Sequence, residues 1–273
     1  MITNTHSVGV VRDAVIAWRI RQGAADSQGY WWSLPVVAET WDGYLNDING
    51  FHVKERHAWE ALESAQPGAV REGNVGGGTG MICHEFKGGI GTASRKLNKE
   101  AGGYTVGVLV QANYGSRELL TIAGVPVGRE IADLRPVPGG RDNDQGSIIV
   151  VVATDAPLLP HQLKRIATRV ALGVGVMGGR GGNSSGDIFI AFSTANRDVA
   201  KTSGLAALTM LPNEQINPLF VATVQATEEA IVNAMVAAED MLGINGARVY
   251  ALPHDRLREV LRKYSRLVAP SGR

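Results

Sequence analysis

Glycine makes up 34 of the 273 residues, and much of it gathers at 73–80, 88–91, 102–107, 139–146 and 173–186. Each cluster separates two apolar runs, so no element can be long before the chain meets a residue that permits positive φ and close backbone approach. Such a chain folds as short strands and helices joined by tight loops, with a site lined by backbone. At this length one domain can bury a real core. A hydrophobic share of 44% against 19% charged is ordinary for a globular protein.

The remaining totals exclude more than they assign. A net charge of +1 gives no electrostatic case for nucleic acid or an anionic membrane. Cys83 is the single cysteine, which forbids an intramolecular disulfide and argues against cysteine-held zinc. No uninterrupted apolar run approaches the roughly 20 residues of a membrane span. Met1 leads directly into polar TNTHS without a signal-peptide pattern, so the expected compartment is the cytoplasm.

Periodicity predicts helices over 12–22, 54–65, 157–177, 217–242 and 254–264. Pro218 stands at the start of the fourth, where a missing N–H costs nothing. Strands are predicted over 102–115, 118–128, 147–154, 187–193 and 247–252, the first two as a hairpin turning at Asn113-Tyr114-Gly115. Residues 133–146 form a polar loop rich in Pro and Gly. The order implies sheets covered by helices in one α+β or α/β domain.

One junction carries chemistry. The loop ends in DNDQG and the apolar run SIIVVVAT follows at once. A serine hydroxyl can attack the carbonyl before it when that peptide is strained and its oxygen is held by donors. Cutting at Gly146-Ser147 would leave a serine with its own α-amine beside its hydroxyl. An amine of pKa about 8 is a competent general base at neutral pH. Glycine before the serine fits, having no side chain to block attack. From spacing alone, a Gly-Ser before a strand is more often plain loop chemistry.

Gly182-Asn183-Ser184-Ser185-Gly186 satisfies G-x-S-x-G, but that elbow needs a strand before it and a helix after it. Here a helix precedes and the strand DIFIAF follows, which argues against the elbow. Ser185 and Asp187, two apart at a strand entry, can share a face and relay a proton; the competing reading is a polar turn. NVGGGTGM lacks G-K-[ST] and is no Walker loop. Asn113 can aim its amide at an oxyanion or serve as a turn residue. The six histidines show no metal spacing. Trp31, Trp32, Trp41 and Tyr44 form an aromatic group that reads as core or as a pocket wall.

Taken in order, TNTHSVGVVRDA, EGNVGGGTGM, FKGGIGTASR, VLVQANYG, AGVPVGR, GSIIVVVATDAPLLPHQL and NSSGDIFIAFSTAN resemble the DmpA/BapA family. These are L-aminopeptidase/D-amidase/D-esterase enzymes and β-aminopeptidases, self-processing serine aminopeptidases. The resemblance runs from about residue 2 to about 265. It implies an α+β fold, an αββα sandwich like that of N-terminal nucleophile hydrolases but with different connectivity. It implies a single domain that cuts itself into 1–146 and 147–273. Ser147 would be the nucleophile, Ser185 and Asp187 its assistants, and Asn113 the oxyanion amide. Tyr44 would belong to the substrate pocket. The carboxylate at 187 is glutamate in some members. No metal or organic cofactor is implied. The implied substrate is a short peptide or amino-acid amide, and the implied assembly is a homotetramer of cut heterodimers.

Members usually carry a further N-terminal segment before the point matching TNTHSVG. The expectation is therefore a start placed at an internal methionine or a fragment, ahead of a shortened form, which would leave sheet edges uncovered. Two other readings compete with hydrolysis. One is acyl transfer of the ornithine acetyltransferase type, whose members cut before threonine. The other is an uncut, inactive chain.

Overall fold

The computed structural model describes residues 1–23, 32–138, 146–200 and 204–268. Trp31 and positions 139–145 of the polar loop lie outside them.

A four-stranded sheet is the centre of the molecule. Its strands are β1 (Gly89–Lys96), β2 (Thr105–Asn113), β3 (Ser147–Thr154) and β4 (Ile188–Ser193), neighbours in that order. The first three are antiparallel, while β4 runs parallel to β3. A parallel neighbour needs a crossover, and helix α3 (Pro160–Val176) supplies it. Helices α1 (Val8–Arg21) and α2 (Glu55–Glu63) come earlier in the chain, and α4 (Asn217–Val236) and α5 (His254–Lys263) later.

Strand pleating divides the sheet into two chemically distinct faces. Val106, Val108, Val110 and Ala112 of β2 stand opposite Thr154, Val152, Val150 and Ile148 of β3. The apolar members of this set are buried in one core with Ile166, Val170 and Val174 of α3 and Ala226, Ala230, Ala234 and Met235 of α4. Alanine at every fourth position lets α4 lie close on the sheet. The fit at Gly91 is tight: a Cβ there would sit 1.9 Å from the Ala230 carbonyl oxygen. By length and composition α4 could cross a membrane, yet half of its most apolar window is buried inside the protein. It is the core helix.

The opposite face carries Gln111 and Asn113 on β2 and Ser147 and Ile149 on β3. A second layer of short strands covers it. Ile2–Asn4 pairs with Ala38–Thr40, and Gln111 donates to Thr40 Oγ1 at 2.6 Å and to the Thr3 carbonyl at 3.2 Å. Ile82–Cys83 pairs with Phe86–Lys87, and Met241–Leu242 with Arg248–Val249. Helices α1 and α2 pack together outside this layer. Helices, sheet, short strands and helices together form the expected αββα sandwich.

Two expected elements differ. Residues 118–128 form no strand; Arg117–Leu119 is a 3-10 turn and Val127–Glu130 a helical turn. Strand β2 is already flanked by β1 and β3, so 118–128 has no ladder to join. The helix expected to reach 242 ends at Val236, because Met241–Leu242 is drawn into a strand pair.

The hairpin at 82–87 turns on two non-glycine residues with positive φ, His84 at 48° and Glu85 at 61°. Arg117 holds this strained turn. It donates to the His84 carbonyl at 2.9 Å and the Glu85 carbonyl at 2.8 Å, and its guanidinium lies 3.2 Å from the Phe86 ring centroid. The same group reaches the carbonyls of Ile131, Asp133 and Leu134. Burial, then the Arg135 cation, lower its pKa to about 10, so it remains charged at neutral pH.

His84 is fully buried. Its Nδ1 lies 3.0 Å from the Ser116 carbonyl, which assigns the proton to that nitrogen, while Nε2 has no partner. Burial is the main reason its pKa falls to about 4. The unfolded chain takes up this proton below about pH 6.5, and the fold resists it until about 4. Stability is therefore complete above 6.5 and falls with pH across that window. The expected loss at pH 4 is about 3 kcal/mol. Urea midpoints between pH 7 and 4 test this. The wild type should fall more steeply than His84→Asn, and parallel profiles would contradict the assignment.

Candidate active site

The sheet register sets Ser147 directly across from Asn113, at the end of the β2–β3 ladder and on the polar face. Asn113 is almost fully buried, and its amide is fixed from both sides. Its Oδ1 accepts the Ile82 N–H at 2.9 Å, and its Nδ2 donates to the Trp41 carbonyl at 2.9 Å. The strained hairpin thus helps set this amide, and the His84 N–H adds a bond to the Tyr114 carbonyl at 2.7 Å. Lys87 anchors the preceding loop through the carbonyls of Gly78, Met81 and Gly88. Burial pushes the Lys87 pKa down to about 7.

Gly146 extends the ladder one residue back from Ser147 and forms an isolated parallel bridge to Ser185. Its φ is 145°, where side chains are rarely tolerated, and a Cβ there would lie 2.4 Å from the Asn113 carbonyl oxygen. The Gly186 N–H donates to Ser147 Oγ at 3.1 Å. Asp187 Oδ1 accepts the Ile148 N–H at 3.1 Å. The short run Ser185-Gly186-Asp187 therefore wraps the junction: one residue bridges Gly146, the next touches the Ser147 hydroxyl, and the third anchors the residue after it. Residues 182–186 lie in the loop between α3 and β4, the order that argued against a nucleophile elbow.

A cleft of about 340 Å³ opens here, bordered by Gly146, Ser185, Asp187, Tyr114, Glu118 and Arg180. Tyr114 is buried, and its hydroxyl has no hydrogen-bond partner. Burial is the largest cause raising its pKa well above 10, followed by Cys83 and Asp187. A larger hollow, about 740 Å³, lies among Ile2–Asn4, α2 and Met241–Ile244 and contains none of these residues. Among the described residues no group of three His, Cys, Asp or Glu stands ready to hold a metal ion.

The four residues singled out from the sequence, Ser147, Ser185, Asp187 and Asn113, come together at one sheet end. Tyr44 stands apart from the cleft. It packs beside Leu45, Ile82, Ala247 and Val249, and its hydroxyl donates to the Pro138 carbonyl at 3.1 Å, on the segment that leads toward Gly146. Sequence reasoning read Tyr114 only as a turn residue within VLVQANYG and did not single out Glu118 or Arg180; the fold brings all three to the cleft.

The chain matches the model of Peptidase family S58 over residues 1–249. It belongs to peptidase family S58. Membership makes it a hydrolase of peptide or amide bonds. The beta-peptidyl aminopeptidase BapA of Sphingosinicella microcystinivorans is 54% identical over 285 residues, covering 98% of this chain and 70% of that protein. Among solved structures, the L-aminopeptidase D-Ala-esterase/amidase of Ochrobactrum anthropi, described as a variant of the Ntn hydrolase fold, has a TM-score of 0.88 at 50% identity. That match covers 98% of this chain and 74% of the other. A Burkholderia sp. beta-aminopeptidase has a TM-score of 0.84 at 52% identity, covering 96% and 72%. The S58 chain therefore has the Ntn-hydrolase variant fold, and peptides are its substrate class.

Proposed function

We propose that this S58 peptidase cuts its own Gly146-Ser147 bond and then works as an aminopeptidase/amidase with Ser147 as N-terminal nucleophile. The observation that carries the reading is the junction itself: a glycine at φ 145° precedes a serine whose Oγ meets a backbone N–H, across the ladder from a fixed amide. In the first step Ser147 Oγ attacks the Gly146 carbonyl carbon. The C–N bond breaks, the α-amine of Ser147 is released, and an ester joins Gly146 to Oγ. Water hydrolyses that ester, leaving a carboxylate at 146 and a free hydroxyl at 147.

The second reaction repeats this chemistry on substrate. The free amine accepts the Oγ proton as Oγ attacks the scissile carbonyl. Asn113 and backbone N–H groups hold the developing oxyanion. The proton passes to the leaving amine, and water clears the acyl-enzyme. Ser185 and Asp187 orient the amine and carry protons. The cut separates residues 1–146 from 147–273, and the resulting pairs assemble as a homotetramer. The exposed Ile188 and Phe192 on edge strand β4 suit burial in such an assembly.

The relatives' names include β-peptidyl, L- and D- activities, so the substrates are short peptides or amino-acid amides with a free amine at the N-terminus. Acyl transfer is not favoured. The test is release of amine from alanine amide and β-alanine amide by the wild type beside Ser147→Ala. The variant should lose activity by at least about 10⁴-fold. A variant as active as the wild type would end the reading.

A further inference from the structure

The cleft is electrically divided. Asp187 borders it together with Gly146, and Asp187 Oδ1 accepts the N–H of Ile148, the residue after Ser147. Arg180 borders the same cleft and also a second hollow of about 410 Å³ that shares Glu118, Leu119 and Gly178 with it. The two hollows are neighbours, and Arg180 borders both. Arg129 lines the second hollow as well. Glu118, which also borders both, is engaged by Arg135 at 2.7 Å. Arg180 makes no ion pair or hydrogen bond among the described residues. Its backbone is nevertheless set: α3 ends in bonds from the Gly178 N–H to the Gly175 carbonyl and from the Gly179 N–H to the Val174 carbonyl. An exposed guanidinium without a protein partner among the described residues thus borders the same cleft as Gly146, Ser185 and Asp187.

We infer that Arg180 is a specificity residue that binds the free C-terminal carboxylate of the leaving group, so that the favoured substrates are dipeptides and tripeptides with an ionised C-terminus. A zwitterionic peptide suits a cleft bordered by both charges, its ammonium near Asp187 and its carboxylate at Arg180, with Arg129 in the neighbouring hollow for the longer substrate. The planar guanidinium suits a carboxylate through paired hydrogen bonds. A cleft of about 340 Å³ falls within the size range of small-molecule sites. This inference rests on Ser147 being the nucleophile.

The experiment compares alanyl-alanine with alanyl-alanine amide, and β-alanyl-alanine with its amide. The wild type should favour each free acid by about tenfold in kcat/KM. Arg180→Gln should abolish that preference through a higher KM for the acids, with kcat and the amides nearly unchanged. Arg180→Lys should retain part of it. Equal losses on acid and amide, or a wild type without preference, would overturn the inference. The extent of self-cleavage is read in the same samples, so failure of the nucleophile is seen separately. Should a variant stay uncut, calorimetric binding of the four peptides to uncut Ser147→Ala and Ser147→Ala/Arg180→Gln decides. Acid-selective binding lost with Arg180 supports the inference, and binding indifferent to Arg180 refutes it.

Discussion

Gly146→Val leaves the chain in one piece and without amidase activity, although every proposed catalytic side chain is intact. The reason lies in backbone geometry. Gly146 has a φ of 145°, and any Cβ there would meet the Asn113 carbonyl oxygen at 2.4 Å. A branched side chain forces the junction into ordinary extended backbone and moves the Gly146 carbonyl away from Ser147 Oγ. Without cutting, no α-amine is freed and no general base exists. Activity should fall below detection, with a circular dichroism spectrum matching that of the wild type. A Gly146→Val protein that cuts normally would show that the unusual backbone at 146 is not needed for the reaction.

Arg117→Met is the second large effect, and it is structural. The guanidinium serves five carbonyls, two of them on the strained His84-Glu85 turn. Methionine approximates the apolar stem but leaves those acceptors unmatched, at an expected cost of about 3–5 kcal/mol. For a chain of this size that lowers Tm by about 10 °C. The comparison belongs in an uncut Ser147→Ala background, where one chain unfolds. The same hairpin supplies the Ile82 N–H that fixes Asn113, so Arg117→Met should also slow self-cleavage when Ser147 is present. A Tm within about 2 °C of the parent would contradict the assigned role.

Much of the architecture was readable where one period dominated. Val106, Val108, Val110 and Ala112 alternate cleanly, and SIIVVVAT is apolar enough to be buried on both faces. The pairing of Asn113 with Ser147 needs the register between the two strands, which the sequence did not show. The misreadings have a physical pattern. Residues 118–128 look like a strand because Leu119, Leu120, Ile122 and Val125 are apolar, yet Leu120, Ile122 and Val125 are buried by plugging the core beside a buried arginine. Nothing local announces that Arg117 is buried. The end of α4 was overrun because its apolar period continues through Ala238, and only the distant Arg248–Val249 stops it. Tyr44, Tyr114 and Arg180 depend on which loops meet, and that is decided by tertiary structure.

The proposed activity depends on one bond, and an intact-mass spectrum of the purified protein beside Ser147→Ala tests its cleavage most directly. The wild type should yield two fragments of about 15 and 14 kDa by residue count, the smaller beginning at Ser147. Ser147→Ala should yield the single uncut chain. A wild type that remains whole, or that is cut at another bond, would contradict the assignment of Ser147 as the self-released nucleophile.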